Sequence, residues 1–145
     1  LARLDSDGLK FGTDSAAANA LDDYEEGTFT PSFSGGISAS SYNFQEGKYI
    51  KIGRLVQFSL RMDAASATTS SAHVKISNLP FTSDPSGHVG SVTFGYNNNF
   101  DQDITGIVGN NSTHIEFYNT DGSTVTGSEV NATNDIYLTG TYITA

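Results

Sequence analysis

Residues 49–62 read YIKIGRLVQFSLRM, and this stretch decides the fold class. From Val56 to Met62 apolar and polar residues alternate, which is the pattern of a strand with one buried face and one solvent-facing face. Gly53-Arg54 separates this segment from the shorter apolar run at 49–52. The two segments therefore predict antiparallel strands joined by a tight connection.

Outward from this pair, period-two alternation recurs along the rest of the chain. Short apolar segments follow one another about every ten residues, and clusters of Gly, Asn, Asp and Ser separate them. Eight strands are predicted, at residues 29–33, 49–52, 55–62, 74–79, 89–96, 104–108, 114–118 and 136–143. No long helical pattern alternates with them, which disfavours a parallel sheet. The expected fold is all-β, an antiparallel β-sandwich of jelly-roll type.

Composition narrows the class of function. The 145 residues carry a formal net charge of −9, which repels nucleic acid and anionic lipid. Cysteine is absent, so disulfides and thiolate chemistry are excluded. No apolar run approaches the roughly 20 residues of a membrane span, and no membrane insertion is expected. We expect part of the rigidity of the domain to come from contact between subunits.

Residues 1–27 are predicted to form a thin stalk or neck, which we call the leader, and residues 28–145 the tip domain. Apolar residues flank Asp5-Ser6-Asp7-Gly8, a turn signal that predicts a short hairpin. A calcium loop is the alternative for this turn, but its remaining ligands are missing. The Ala-rich stretch 15–21 favours one or two helical turns that pack around an axis in three copies. Because the chain begins at Leu1, we expect a fragment of a longer protein.

If every strand crosses the domain once, its connections alternate between two ends. Segments 34–48, 63–73, 97–103 and 119–134 then lie at the end far from the leader, and Gly53, 80–88 and 109–113 at the base. The far-end segments are polar and rich in amides, with interspersed aromatic residues, which suits sugars. The predicted receptor contacts are Tyr42, Asn43, Asn98, Asn99, Phe100, Asp101, Asp121 and Asn131.

Catalytic and metal-binding patterns are weak in this sequence. The three histidines, His73, His88 and His114, have no metal-ligand spacing, although a metal held by one His from each of three subunits stays open. Nucleophile and nucleotide motifs are absent. The four carboxylates between residues 22 and 26 indicate a solvated connector. No cofactor and no enzymatic activity are expected.

Three strings carry a resemblance: LDDYEEGTFTP at 21–31, GKYIKIGRLVQFSL at 47–60 and ISNLPFTS at 76–83. Together they resemble the C-terminal region of phage tail-fibre proteins. Phe29 stands where tryptophan is more often found in these proteins, and residues 83–134 match nothing in them. The resemblance implies a homotrimeric fibre on the virion, whose terminal domain contacts a glycan or outer-membrane receptor on a bacterium.

Several functions are compatible with these observations. The first is a receptor-binding tip that binds host glycans through the far-end segments. The second is a trimerisation module that completes the fibre while recognition takes place elsewhere. The third is a glycan-cleaving tailspike with carboxylates paired across subunits, such as Asp101 or Asp103 opposite Glu129. An unrelated extracellular β-lectin is the fourth.

Overall fold

The computed structural model describes residues 2–6, 8–13, 15–16, 23–87, 90–98, 100, 103–133 and 135–145. At the N-terminus β1 (Ala2–Asp5) and β2 (Gly8–Phe11) form the predicted antiparallel hairpin. Gly8 has a φ of 116°, which glycine adopts without a steric clash. Most of the helix predicted over residues 15–21 lies outside the described residues.

The body of the protein is one antiparallel sheet of seven strands in the order β3-β4-β5-β8-β7-β6-β9. Its strands are β3 (Tyr24–Phe29), β4 (Ser32–Ile52), β5 (Leu55–Ser77), β6 (Gly90–Asn97), β7 (Ile104–Val108), β8 (Ile115–Asn119) and β9 (Asp135–Ile143). A 3-10 turn spans Gly127–Glu129. The prediction of an all-β antiparallel fold is confirmed. Because β3 begins at Tyr24, residues 24–27 belong to this sheet although the sequence assigned them to the stalk.

The sheet closes on itself because β5 is long enough to pair with two strands along one edge. Its first half pairs with β9 from Leu55 opposite Ile143 to Asp63 opposite Asp135. Its far end pairs with β8, and β4 occupies the other edge. Strands β5, β8, β7, β6 and β9 therefore form a barrel-like ring, where the sequence predicted two packed sheets.

The core lies inside this ring and is built from the inward residues of the predicted alternation. Val56, Phe58, Leu60 and Met62 are at most 4% exposed, while their neighbours on β5 face outward. The other inward residues include Val74, Ile76, Val108, Ile115, Phe117, Ile136, Leu138 and Tyr142. Burial of one such side chain contributes about 1.5–3 kcal/mol to folding. The period-two prediction for these strands is confirmed.

Two segments predicted as loops, 34–48 and 63–73, are parts of β4 and β5. They pair with each other through several register shifts, for example Ile37 opposite Thr69. The Gln45 side chain donates a hydrogen bond of 2.8 Å to the carbonyl of Pro31, so β4 curls back toward its own start. Small polar side chains made these segments resemble loops, because a solvent-exposed ribbon lacks the apolar half of the strand pattern.

The base of the barrel is the end where the leader joins. Here the amide of Gly53 donates to the carbonyl of Asp23, and Arg54 forms an ion pair with Asp84. Ser83 donates through its backbone amide to the carbonyl of Ser112 at 2.9 Å. The predicted base segments therefore meet each other at one end.

The predicted far-end segments meet at the opposite end. The amide of Val74 donates to the carbonyl of Val125 at 2.8 Å, and Phe100 forms a bridge with Val130. Asn98 donates through its amide to the carbonyl of Asp135 at 3.2 Å. The described parts of the chain therefore confirm the separation into two ends.

Candidate functional site

A row of outward side chains crosses four adjacent strands near the far end. Register places Glu46 of β4 beside Arg61 of β5, Arg61 beside Tyr137 of β9, and Tyr137 beside Tyr96 of β6. One step closer to the far end, Phe44, Asp63 and Asp135 form the next row. We call the surface between these rows the far-end groove, lined by Phe44, Arg61, Gly95, Tyr96, Asp135 and Tyr137.

Arg61 is the centre of the far-end groove. Its guanidinium donates to both carboxylate oxygens of Asp135, at 3.1 and 2.9 Å. It also lies 4.6 Å from the ring centre of Phe44 and 5.0 Å from that of Tyr137. The hydrogen bonds to Asp135 raise the pKa of Arg61 above its usual value. Two rings and a bidentate partner hold the charge in one place, which preorganises the groove.

A β-bulge in β6 brings Tyr96 to this surface. Strict alternation along the predicted strand 89–96 puts Val92, Phe94 and Tyr96 on one face, but the register shifts between Phe94 and Tyr96. The extra residue is Gly95, and it turns Tyr96 outward while Phe94 stays against the core. That alignment prediction is wrong for Tyr96, since a bulge shifts all later side chains to the other face. Tyr96 contacts Tyr137 edge to face, with ring centres 5.7 Å apart.

Two carboxylates, Asp63 and Asp135, lie directly opposite each other on neighbouring strands. Like charges in this arrangement are unfavourable unless each has a partner. Arg61 compensates Asp135, and the side-chain amide of Asn43 donates to Asp63 at 3.1 Å. Both carboxylates at this edge of the groove therefore accept hydrogen bonds from neighbouring side chains.

The aromatic side chains of the groove are accessible to a ligand. Phe44 is 38% exposed, Tyr96 50% and Tyr137 37%. Two adjacent depressions, of about 350 and 420 Å³, share Gly95 and Tyr137 as walls. Lys48 and Glu46 lie on the rim of the first depression, 3.3 Å apart. Exposed aromatic rings can stack on the C–H face of a sugar, and the fixed polar groups beside them can bond its hydroxyl groups.

The predicted contacts Tyr42 and Asn43 lie on β4, next to the groove. Asn43 is exposed and borders the groove through Asp63. Tyr42 is half-buried, stacks on Phe33 and accepts a hydrogen bond of 2.9 Å from the Phe33 amide. Burial raises the pKa of Tyr42 above its usual value. Asn43 therefore belongs to the groove edge, and Tyr42 holds the curl of β4 together.

Phe100 was predicted as a receptor contact, and the structure places it in the core. Its side chain is 6% exposed and packs on Phe94 and Phe117, with ring centres 5.9 and 5.1 Å apart. The Asn97 side chain accepts a hydrogen bond of 3.1 Å from the backbone amide of Phe100. Asn98, by contrast, is exposed beside Asp135. Asn99 and Asp101 lie outside the described residues.

Asp121 and Asn131 stabilise turns at the far end. Asp121 accepts hydrogen bonds from the side chain and the amide of Ser123, which lower its pKa. Asn131 accepts from the side chain and amide of Thr133. Both residues are exposed, and the structure does not bring either of them into the far-end groove.

One member of the carboxylate pair suggested for glycan cleavage, Glu129, stabilises the 3-10 turn. Glu129 accepts hydrogen bonds of 2.7 and 2.6 Å from the amide and hydroxyl of Thr126, and the bond from the amide belongs to a capping box on the 3-10 turn. Asp103 is exposed. Within the part of the chain that the structure describes, no three His, Cys, Asp or Glu residues are grouped as metal ligands are.

A second polar cluster lies on β5 and β8, away from the groove. Glu116 accepts hydrogen bonds from Lys75 at 2.8 Å and from Tyr118 at 2.9 Å, and it lies 3.1 Å from His114. Burial opposes ionisation of Glu116, but these bonds outweigh it and lower its pKa to about 2. The cluster joins the end of β5 to β8, where only two residue pairs connect these strands.

Sequence reasoning missed most of the groove. Arg61 and Asp135 are 74 residues apart, and only the register of β5 and β9 brings them together. Tyr137 is an exception, because alternation along the predicted strand 136–143 puts it on the face opposite to Ile136 and Leu138. Gly95 inside a strand pattern was the available signal for a bulge.

No protein-family model matches the chain, and no curated protein or solved structure shows significant similarity to it. Among the described residues there is no helix long and apolar enough to cross a membrane.

Proposed function

We propose that this chain is the receptor-binding tip of a phage tail fibre, which attaches the virion to a bacterium by holding a surface glycan in the far-end groove. The observation that carries the proposal is the cluster of three exposed rings around the Arg61–Asp135 pair. A binding surface for sugars needs such rings together with polar groups whose direction is fixed. The assignment to a phage tail fibre is supported by the resemblance of residues 21–31, 47–60 and 76–83 to tail-fibre proteins.

The position of the groove also supports attachment. The leader joins at the base, beside Gly53, and the groove is at the opposite end. A fibre that continues from the leader would therefore present the groove outward, toward a cell surface. Several copies bound at once would convert weak individual contacts into firm attachment.

We include a homotrimer in the proposal. A second exposed patch, the base patch, is formed by Tyr24, Ile50, Ile52 and Leu55, which are 59%, 41%, 48% and 47% exposed. Tyr24, Ile52 and Leu55 are direct cross-strand neighbours. Apolar side chains grouped in this way are typical of a protein–protein contact, and the base is where copies joined by the leader would meet.

Binding of the fluorescently labelled chain to a panel of bacterial strains tests the attachment function. We expect binding to at least one strain, loss of this binding in Tyr137→Ala, and retention of binding in Tyr118→Ala. Tyr118 is a matched control, because it is a tyrosine on the outer surface of β8, away from the groove. Equal binding by both variants would exclude the groove, and no binding to any susceptible strain would refute the attachment function.

The base patch favours one second candidate, a module that only assembles the fibre. Light scattering separates the two functions when it is combined with the binding assay. We expect the parent chain to have the mass of three 15.4 kDa subunits, and Ile52→Asp to dissociate it. An assembly module would dissociate into single subunits in Ile52→Asp, but it would show no cell binding that depends on Tyr137.

A further inference from the structure

The far-end groove has two compartments with one shared wall. Phe44 and Lys48 border the first depression, and Tyr96 and Asp135 border the second. Tyr137 stands between them, 37% exposed, with Arg61 against its ring on one side and Tyr96 at its edge. Each compartment thus has an exposed aromatic ring of its own and shares a third. This arrangement fits two consecutive rings of a chain-like ligand.

The charges of the groove and of the whole chain favour uncharged ligands over anionic ones. Both cations of the groove wall already have acidic partners: Arg61 is bonded at two points to Asp135, and Lys48 lies 3.3 Å from Glu46. The whole chain carries a net charge of −9. An anionic sugar would displace an existing ion pair while approaching a negative protein, which is unfavourable. A ligand with hydroxyl or acetamido groups and no charge can bond the same carboxylates and cations without separating them.

Gly95 keeps the floor of both compartments open. A methyl group built on it would lie 3.7 Å from the Cβ of Tyr137, an ordinary contact distance, with no closer atom. A larger side chain at this position would therefore extend into the groove rather than into the barrel. The bulge that turns Tyr96 outward also supplies this gap.

We propose that the far-end groove binds an uncharged oligosaccharide, with one sugar unit on each side of Tyr137. This inference rests on the proposed function and specifies its ligand class. Neutral hexose and N-acetylhexosamine chains fit it, whereas chains of uronic or sialic acid do not.

The test uses the full chain and a glycan array that carries neutral oligosaccharides beside acidic ones of the same length. We expect the parent chain to bind neutral disaccharides and longer chains, and to bind the corresponding monosaccharides about tenfold more weakly or worse. Tyr118→Ala, at a position on β8 outside the groove, should bind like the parent. Gly95→Leu should lose at least about tenfold in affinity, since its side chain would project into the groove beside Tyr137, where the two compartments meet.

The outcomes separate this inference from the proposed function. A preference for acidic glycans, or equal affinity for monosaccharides, would overturn the ligand class while cell binding continued. Unchanged glycan binding by Gly95→Leu would overturn the site. If circular dichroism shows that Gly95→Leu is unfolded, Tyr96→Ser provides the same test by removing one ring. Failure of the parent chain to bind any cell would refute the proposed function itself.

Discussion

Replacement of Phe100 by alanine distinguishes a core residue from a receptor contact. The ring is 6% exposed and packs between Phe94 and Phe117. Removal of a buried phenylalanine costs about 3–5 kcal/mol, from lost transfer energy and from the cavity that remains. We expect about 3 kcal/mol at Phe100, the lower end of this range, because the residue is not fully buried.

Urea unfolding followed by circular dichroism measures this loss. With a slope of about 2 kcal/mol per molar urea, a loss of 3 kcal/mol moves the midpoint down by about 1.5 M. All variants must be compared at one protein concentration, since association between subunits would add to the apparent stability.

Phe44→Ala is the matched control, because Phe44 is 38% exposed and stacks on Arg61 in the groove. We expect it to lose only about 1 kcal/mol of stability but to lose cell binding. Phe100→Ala should keep cell binding wherever it is folded. A Phe100→Ala protein with parental stability and no binding would refute the core assignment.

Two further predictions concern stability. The pKa of Glu116 is about 2 in the folded protein, against an ordinary value of 4.5. The stability that ionised Glu116 adds to the folded protein is therefore complete above pH 4.5 and is lost as the pH falls toward 2. Urea midpoints between pH 6 and 2 should therefore fall less steeply in Glu116→Gln than in the parent, and parallel curves would contradict the role of this cluster. At Gly47, an added methyl group would overlap the ring of Phe29. Gly47→Ala should lose about 1–3 kcal/mol while Gly95→Ala stays near the parent, and equal melting temperatures would contradict the packing of β3 on β4.

The strands could be predicted where burial leaves a pattern in the sequence. Val56, Phe58, Leu60 and Met62 alternate with polar residues because one face of β5 meets the core, and Gly53 marks the turn before it. The middle of the same strand carries no such pattern. Between residues 65 and 72 both faces are largely exposed, so small polar residues are tolerated, and backbone pairing with β4 continues along the strand.

The groove could not be predicted, because it depends on register. Arg61 meets Asp135 only when β5 and β9 pair with one particular alignment, and a shift of one residue would move either side chain to the other face. Tyr96 needs the bulge at Gly95 in addition. Phe100 was wrongly predicted to be a receptor contact because its neighbours in the sequence carry side-chain amides. In the structure the Asn97 side chain accepts a hydrogen bond from the backbone amide of Phe100, and the ring faces the core.

Hydrogen–deuterium exchange in the presence of envelope polysaccharide from a bound strain tests the central claim most directly. If the far-end groove holds the glycan, exchange should slow in residues 44–46, 61–63, 95–98 and 135–138, and residues 80–87 and 109–113 at the base should not change. Protection confined to the base segments, or protection that persists in Gly95→Leu, would contradict the account.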